Sequence, residues 1–145
     1  MQEERKAVLL SLRPEWLMPI IEGKKIYEVR KRAPALKTPY KVYVYCTLRQ
    51  PMIHWNTKAF NGNLNGLVCA EFTCVNNIEI NPPFHGKLEG TCLTDRQLAE
   101  YSSGEKLVFM EIENPKILVA PFELKKLGMN NAPQSWRYCK ELENV

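Results

Sequence analysis

The sequence predicts a single α+β domain, in which about five or six mixed strands form a small barrel-like sheet accompanied by short helices. Apolar runs, alternating or continuous, recur along the chain between Pro- and Gly-rich turns, as is typical of strands. Only short stretches have the three-and-four spacing of a helix. With 145 residues, 45% of them hydrophobic, the chain has the size of one domain with one core, over 1–145.

The first half of the chain predicts strands arranged around one helix. The apolar run 7–13 predicts a buried strand, and Pro14 suits the first turn of a following helix. That helix is expected to end at Gly23, because glycine is common just past helix C-termini. The alternation over 24–32 predicts a strand with one charged face and one mixed apolar face. After a Pro-rich loop, 40–48 has strong strand character.

The second half predicts longer strands and shorter helices. Residues 49–65 predict an irregular excursion that ends in a hairpin-like turn, and 66–80 return to a strand. Thr94, with Gln97 three residues later, forms a capping-box pattern and predicts the start of a short helix. The remaining predictions are two strand-like runs over 106–120, split at Asn114-Pro115, and short helical segments over 122–127 and 133–142.

Composition argues against several classes of function. No apolar run is long enough to cross a membrane and the N-terminus lacks a signal-peptide pattern, so we expect a cytoplasmic protein with no membrane partner. None of the five cysteines is spaced as C-x-x-C, which disfavours a zinc site or a disulfide framework. The acids are fifteen Glu and one Asp, and there are two His, which leaves few ligands for a metal. We therefore predict no metal and no cofactor.

Positive charge is concentrated in the N-terminal third. Residues 1–50 hold eleven Lys and Arg against five Glu, whereas 51–145 hold nine against eleven acids. The densest part is 24–32, where basic residues are interleaved with Tyr27. A basic run is also typical of a solvated sheet edge, so charge alone does not identify a binding site. Basic residues combined with aromatic rings are how single-stranded RNA is usually held.

The segment from Gly23 to Arg30, GKKIYEVR, matches the pattern G-x-K-x-x-E-x-R and resembles the signature of ASCH domains, which belong to the PUA-like superfamily and include phage and bacterial proteins. LLSLRPEW before it, and GLVCAEFTC and PQSW after it, resemble further family segments in the same order. The resemblance covers nearly the whole chain. It implies a PUA-like β-barrel with helices at its openings, and RNA or a nucleotide-like molecule as ligand.

One ASCH branch hydrolyses the amide of N4-acetylcytidine with a Lys, a Thr three residues later and a strand Glu. By resemblance, that Lys corresponds to Lys25 and that Glu to Glu71, whereas Glu28 stands where the branch has Thr. A carboxylate does not supply the hydroxyl nucleophile, so the chain departs from this mechanism. If the protein is an enzyme, Lys25, Glu28 and Glu71 are its predicted catalytic residues.

The leading hypothesis is an RNA- or nucleotide-binding domain that uses a basic cleft between strand 24–32 and the strand of Glu71. Its partner would be single-stranded RNA or a nucleoside-like small molecule. The alternatives are an amidohydrolase of a modified nucleoside and a non-catalytic interaction module. Lys25, Glu28 and Glu71, together with Arg30, could also form a buried ion network that only satisfies its own members. The predicted ligand-binding residues are Ser11, Arg13, Lys24, Tyr27, Arg30, Lys31, Arg32 and Trp136.

Overall fold

The computed structural model describes residues 5–84 and 89–143. Within these ranges the chain is mostly strand with two α-helices, which agrees with the predicted α+β class, and no helix is long and apolar enough to cross a membrane. The elements are β1 (Lys6–Leu12), α1 (Pro14–Ile21), β2 (Tyr27–Arg30), β3 (Tyr40–Cys46), β4 (His54–Thr57), β5 (Phe60–Asn63), β6 (Val68–Ile80), α2 (Asp95–Ser102), β7 (Leu107–Phe122), a 3₁₀ helix (Leu124–Leu127) and β8 (Trp136–Lys140).

Six strands form one mixed sheet in the order β2-β7-β6-β3-β1-β8, and β4 and β5 form a separate hairpin. Only β1 and β3 run parallel; the other neighbours are antiparallel. The expected barrel is not closed, because among the described strands no backbone pairing joins the two edges, β2 and β8. β2 is only four residues long and ends at Arg30, so it offers little backbone for such a pairing. We call the gap between these two edges the seam.

β7 continues where the sequence predicts a split. Glu71 of β6 lies opposite Lys116 and Thr73 lies opposite Glu113, so three residues of β7 span the length of two on β6. The extra residue forms a bulge at Asn114-Pro115, and Asn114 has a left-handed backbone with φ of 52°. A bulge tolerates proline, which has no N–H to donate to the ladder. The strand therefore passes through Pro115 instead of ending there.

The helix predicted over 133–142 is wrong, because Trp136–Lys140 is a strand. It pairs antiparallel with β1, with Leu10 opposite Trp136 and Lys6 opposite Lys140. Pairing with β8 satisfies the edge of β1 that β3 leaves open, and this long-range gain outweighs a weak local helical pattern. The two other short helical predictions are confirmed, since α2 begins with the capping box of Thr94 and a 3₁₀ helix covers Leu124–Leu127.

Apolar side chains pack on both faces of the sheet. Burying one such large side chain fully contributes about 1.5–3 kcal/mol to the free energy of folding. The inner core, covered by α1, includes Val8, Leu10, Leu17, Ile20, Val42, Phe72 and Met110. On the opposite face, the outer core includes Leu9, Tyr43, Leu118 and Met129, and the α2 core includes Val29, Leu98 and Phe109.

Candidate nucleic-acid interface

The residues of β2 alternate between the two faces of the sheet. Glu28 pairs with Met110 of the inner core, and Val29 pairs with Phe109 of the α2 core. Because paired residues on neighbouring strands point the same way, Glu28 and Arg30 both face inward. The charged face that the sequence predicts for this strand is therefore buried rather than solvated.

Arg30 bridges the seam with its guanidinium group. Nη1 donates to Ser135 Oγ at 3.0 Å and to the Ser135 carbonyl at 3.3 Å, and Nη2 donates to the Ser11 carbonyl at 2.9 Å. Nε lies 3.7 Å from Glu28 Oε1. The Ser11 hydroxyl donates to the Pro133 carbonyl at 2.6 Å. Two predicted ligand contacts, Ser11 and Arg30, thus bond within the protein and join β2 to β1 and to the start of β8.

Glu28 is 5% exposed, and its two carboxylate oxygens differ in their contacts. Oε1 accepts the Val29 N–H at 3.2 Å and faces Arg30, whereas Oε2 has no hydrogen-bond partner among the described residues. A buried oxygen without a partner costs about 1–3 kcal/mol, and more for a charged group. The Arg30 guanidinium, with its Nε 3.7 Å from Oε1, offsets part of this cost.

Lys25 is only 2% exposed. Its Nζ donates to the Thr91 carbonyl at 2.5 Å and lies 5.2 Å from the centre of the Trp16 ring. Burial lowers the pKa of Lys25; the Glu28 carboxylate and Cys92 raise it in part, and Arg30 lowers it further. We call Lys25, Glu28 and Arg30 the inner cluster: Lys25 and Glu28 are buried, the Arg30 side chain is 11% exposed, and Arg30 pairs with Glu28 while Lys25 bonds to Thr91.

Glu71 lies on the other face of the sheet. It pairs with Tyr43 of the outer core, while its neighbour Phe72 enters the inner core. Its carboxylate is 3.0 Å from Lys41 Nζ and 3.0 Å from Lys116 Nζ. Strand alternation thus separates Glu71 from the inner cluster, and the structure does not bring together the three predicted catalytic residues.

The exposed cations immediately follow β2. Lys31 Nζ lies 5.1 Å from the centre of the Tyr101 ring, and the Arg32 guanidinium carbon lies 4.8 Å from the centre of the Trp136 ring. Lys31 and Arg32 are both exposed, and Tyr101 is 38% exposed. Trp136 also donates its Nε1–H to the Arg32 carbonyl at 2.9 Å. Two consecutive cations therefore each contact an aromatic ring from a different element.

This arrangement continues along β8. The rings of Trp136 and Tyr138 meet edge to face with centres 5.1 Å apart, and Lys6 Nζ lies 5.9 Å from the centre of the Tyr138 ring. Tyr138 is 40% exposed, and its hydroxyl accepts the Ala35 N–H at 2.8 Å. We call the three rings and their three cations the aromatic track: Tyr101, Trp136, Tyr138, Lys6, Lys31 and Arg32.

The sequence did not indicate Tyr101, Tyr138 or Lys6 as site residues. Tyr138 lies in the segment predicted as a helix, and the strand alternation of Trp136 and Tyr138 is the signal that could have identified it. Tyr101 approaches the seam only through the packing of α2, and burial raises its pKa. No local pattern predicts that contact.

The other predicted ligand residues have separate places. The Tyr27 ring packs against Phe109, with centres 5.8 Å apart, so it belongs to the α2 core. Lys24 is exposed with its Nζ 3.6 Å from Glu22, and Arg13 is exposed at the start of α1.

Within 5–84 and 89–143, no three His, Cys, Asp or Glu side chains converge as a metal site. A depression of about 530 Å³ between the 82–84 loop and α2 includes no residue of the track.

The structural comparison agrees with the sequence resemblance. No protein-family model and no curated protein matches the chain. The fold is similar to the crystal structure of an ASCH protein from Zymomonas mobilis, with a TM-score of 0.69 and 20% identity over 91% of this chain and 86% of that chain. Crystal structures of its Tyr-to-Phe and Ser-to-Ala variants give TM-scores of 0.70 and 0.69, each at 20% identity over 92% of this chain and 90% and 88% of theirs. The chain therefore has the fold of an ASCH domain.

Proposed function

We propose that the protein binds single-stranded RNA, or a nucleotide-like fragment of it, at the exposed aromatic track. The observation that carries the proposal is that Lys31 and Arg32 are consecutive, exposed, and each set against a partly exposed aromatic ring. Cations neutralise phosphates, and aromatic faces stack on unpaired bases regardless of sequence. A site of this kind favours a flexible single strand.

The proposal differs from the cleft hypothesis in which residues contact the ligand. Arg30 and Ser11 already form hydrogen bonds within the protein at the seam. Lys25 Nζ is bonded to the Thr91 carbonyl and covered from solvent by the Trp16 ring. We assign the inner cluster the role of holding β2 against β1, so that the residues after Arg30 leave the sheet at a fixed place. The ligand then contacts the surface at the seam and not a deep cleft.

The total charge supports a short footprint. The chain carries a net charge of +4, and phosphate contacts supply most of the sequence-independent affinity for nucleic acid. A protein with so few excess cations is suited to a few nucleotides, whereas a long duplex footprint needs many more.

The test is fluorescence anisotropy with a labelled single-stranded RNA of about eight nucleotides at low salt. Wild type is expected to bind, and the double variant Lys31→Ala/Arg32→Ala is expected to lose about tenfold or more in affinity. The matched control, Lys125→Ala/Lys126→Ala, removes the same charge from the 3₁₀ helix and is expected to change affinity by less than about threefold. No binding by wild type, or equal losses in both variants, contradicts the proposal.

Hydrolysis of an acylated nucleoside is the weaker candidate. Burial lowers the pKa of Lys25, and a less protonated amine is a better base or nucleophile. However, Lys25 is 2% exposed and Glu71 lies on the opposite face of the sheet. The direct assay is incubation with N4-acetylcytidine, comparing wild type with Lys25→Ala. Turnover that is lost in the variant would favour this candidate, and absence of both turnover and RNA binding would favour a non-catalytic interaction module.

A further inference from the structure

We propose that the β8 part of the track, Trp136 and Tyr138 with Lys6, is a second stacking subsite, so that the ligand is a run of consecutive unpaired nucleotides rather than a mononucleotide or a duplex. This inference rests on the proposed function and specifies its ligand. It starts from the register of β8, where Trp136 and Tyr138 lie opposite Leu10 and Val8 of the inner core. Both rings are therefore on the same face of the strand, at its seam edge.

The spacing of these rings suits an extended single strand. Trp136 and Tyr138 are two positions apart on β8, about 7 Å along the strand. Their rings meet edge to face with centres 5.1 Å apart, so no base fits between them, and each ring presents its face in a different direction to a separate unpaired base. The Arg32 guanidinium lies over one face of the Trp136 ring and Lys6 Nζ over one face of the Tyr138 ring. A base therefore stacks on the face that the cation leaves uncovered, with the cation near the phosphate of the same nucleotide. A duplex cannot use this arrangement, because its bases are already paired and stacked on one another.

The seam keeps this surface accessible. In the part of the chain that the structure describes, no strand pairs with the outer edge of β8, and Tyr138 remains 40% exposed. Arg32, in the segment after β2, and Lys6, in β1, reach the two neighbouring rings of β8 from opposite sides of this strand. The track thus follows the line along which the sheet stays open.

A purely structural role for Tyr138 makes a different prediction. Its hydroxyl accepts the Ala35 N–H, and this bond ties the loop after Arg32 to β8. Tyr138→Phe removes the bond and keeps the ring, whereas Tyr138→Leu removes both but keeps apolar bulk. A stacking role requires only the ring, so the two variants separate stacking from loop attachment.

The experiment measures the affinity of wild type, Tyr138→Phe and Tyr138→Leu for three RNA probes: a single strand of about eight nucleotides, a hairpin duplex and a mononucleotide. We expect wild type to prefer the single strand, Tyr138→Phe to bind it as wild type does, and Tyr138→Leu to lose about tenfold in affinity for it. Affinity for the mononucleotide is expected to stay the same in all three proteins. Thermal unfolding of each variant identifies any loss that is due to misfolding.

The failures of the two proposals are distinguishable. If Lys31→Ala/Arg32→Ala lowers single-strand affinity but Tyr138→Leu does not, the proposed function stands and the second subsite is overturned. Equal losses in Tyr138→Phe and Tyr138→Leu, or duplex binding as tight as single-strand binding, also overturn it. If wild type binds none of the probes, the proposed function fails and the subsite fails with it.

Discussion

Two groups of basic residues adjacent in sequence have opposite environments in this protein. Lys25 is 2% exposed and the Arg30 side chain is 11% exposed, and their N–H groups donate to carbonyls and to the Ser135 hydroxyl; Lys25 Nζ also lies 5.2 Å from the centre of the Trp16 ring. Lys31 and Arg32 directly follow Arg30 in the sequence. Both side chains are exposed to solvent, and each lies over an aromatic ring. The buried cations are used by the fold, and only the exposed ones are available to a ligand.

The energetic consequences of the two environments also differ. A buried charge is destabilising unless it is paired, so removing one partner of the inner cluster leaves another in a dry site. An exposed cation is hydrated and screened by salt, and its contribution to stability is small. Variants in the inner cluster should therefore affect folding, whereas variants in the track should affect binding.

The largest effect is expected for Arg30→Ala. This substitution removes three hydrogen bonds across the seam and leaves Glu28 without its guanidinium neighbour. We expect the free energy of unfolding, measured by urea denaturation, to fall by about 3–4 kcal/mol. Arg96→Ala is the control, because its exposed pair with Glu100 is worth about 0.5 kcal/mol or less. A loss below about 1 kcal/mol for Arg30→Ala would contradict its assigned role.

A smaller loss is expected for Glu71→Gln, which removes the charge that faces Lys41 and Lys116. We expect about 1–2 kcal/mol at low salt, because the Glu71 side chain is 5% exposed although Lys116 is 61% exposed. The loss should shrink in high salt, which screens the exposed lysine. Glu123→Gln removes an exposed partner of Lys125 and should cost about 0.5 kcal/mol or less. An equal effect of the two substitutions would argue against an ion-pair role for Glu71.

Lys25→Met should change the pH dependence of stability. Burial lowers the pKa of Lys25 below its ordinary value of 10.5, so between the two values the unfolded state binds more protons than the folded state. The stability of wild type relative to Lys25→Met should therefore rise with pH as 10.5 is approached, by at most about 1.4 kcal/mol per pH unit. Urea denaturation at several pH values measures this difference.

The comparison with Lys25→Met is needed because other groups act in the opposite direction. Burial raises the pKa of Cys139 to about 11 and that of Tyr43 to about 12, so the unfolded state loses these protons first and stability falls at high pH. These contributions are common to both proteins and cancel in the difference. A difference that stays flat with pH would show that Lys25 is not desolvated as described.

The smallest effect on stability is expected for Lys31→Ala/Arg32→Ala. Because both side chains are exposed, the free energy of unfolding should change by no more than about 0.5 kcal/mol. In RNA binding, the slope of log affinity against log salt should decrease in size by about 1.4, since each single-strand phosphate contact contributes about 0.7. A large loss of stability with an unchanged salt slope would instead assign these residues to the fold.

Local patterns predicted much of the fold. The capping box of Thr94, a strand that begins at Tyr40 and a short helix before Gly128 were predicted from residue spacing and are confirmed, although the strand ends at Cys46 and the helix is a 3₁₀ helix over Leu124–Leu127. Glu71 of the predicted ion network lies on the other face of the sheet, whereas the alternation in GKKIYEVR predicted Glu28 and Arg30 on one face of a strand, as the structure has them. The segment did not indicate that the side chains of the inner cluster are enclosed, because enclosure depends on α1, Thr91 and Ser135, which are distant in sequence.

The amino-acid sequence determined the α+β class, the concentration of positive charge in the first fifty residues and the resemblance to ASCH domains, because these depend on composition and short-range spacing. Tertiary structure decided that Glu71 and Glu28 lie on opposite faces, that 136–140 is a strand and that the sheet stays open beside it. The physical reason is that the sheet face on which a side chain lies, its burial and the pairing of a strand's edge all depend on which sequence-distant strand packs next to it. Pairing of β8 with β1 places Trp136 and Tyr138, and packing of α2 places Tyr101, beside the exposed cations, contacts that no single segment encodes.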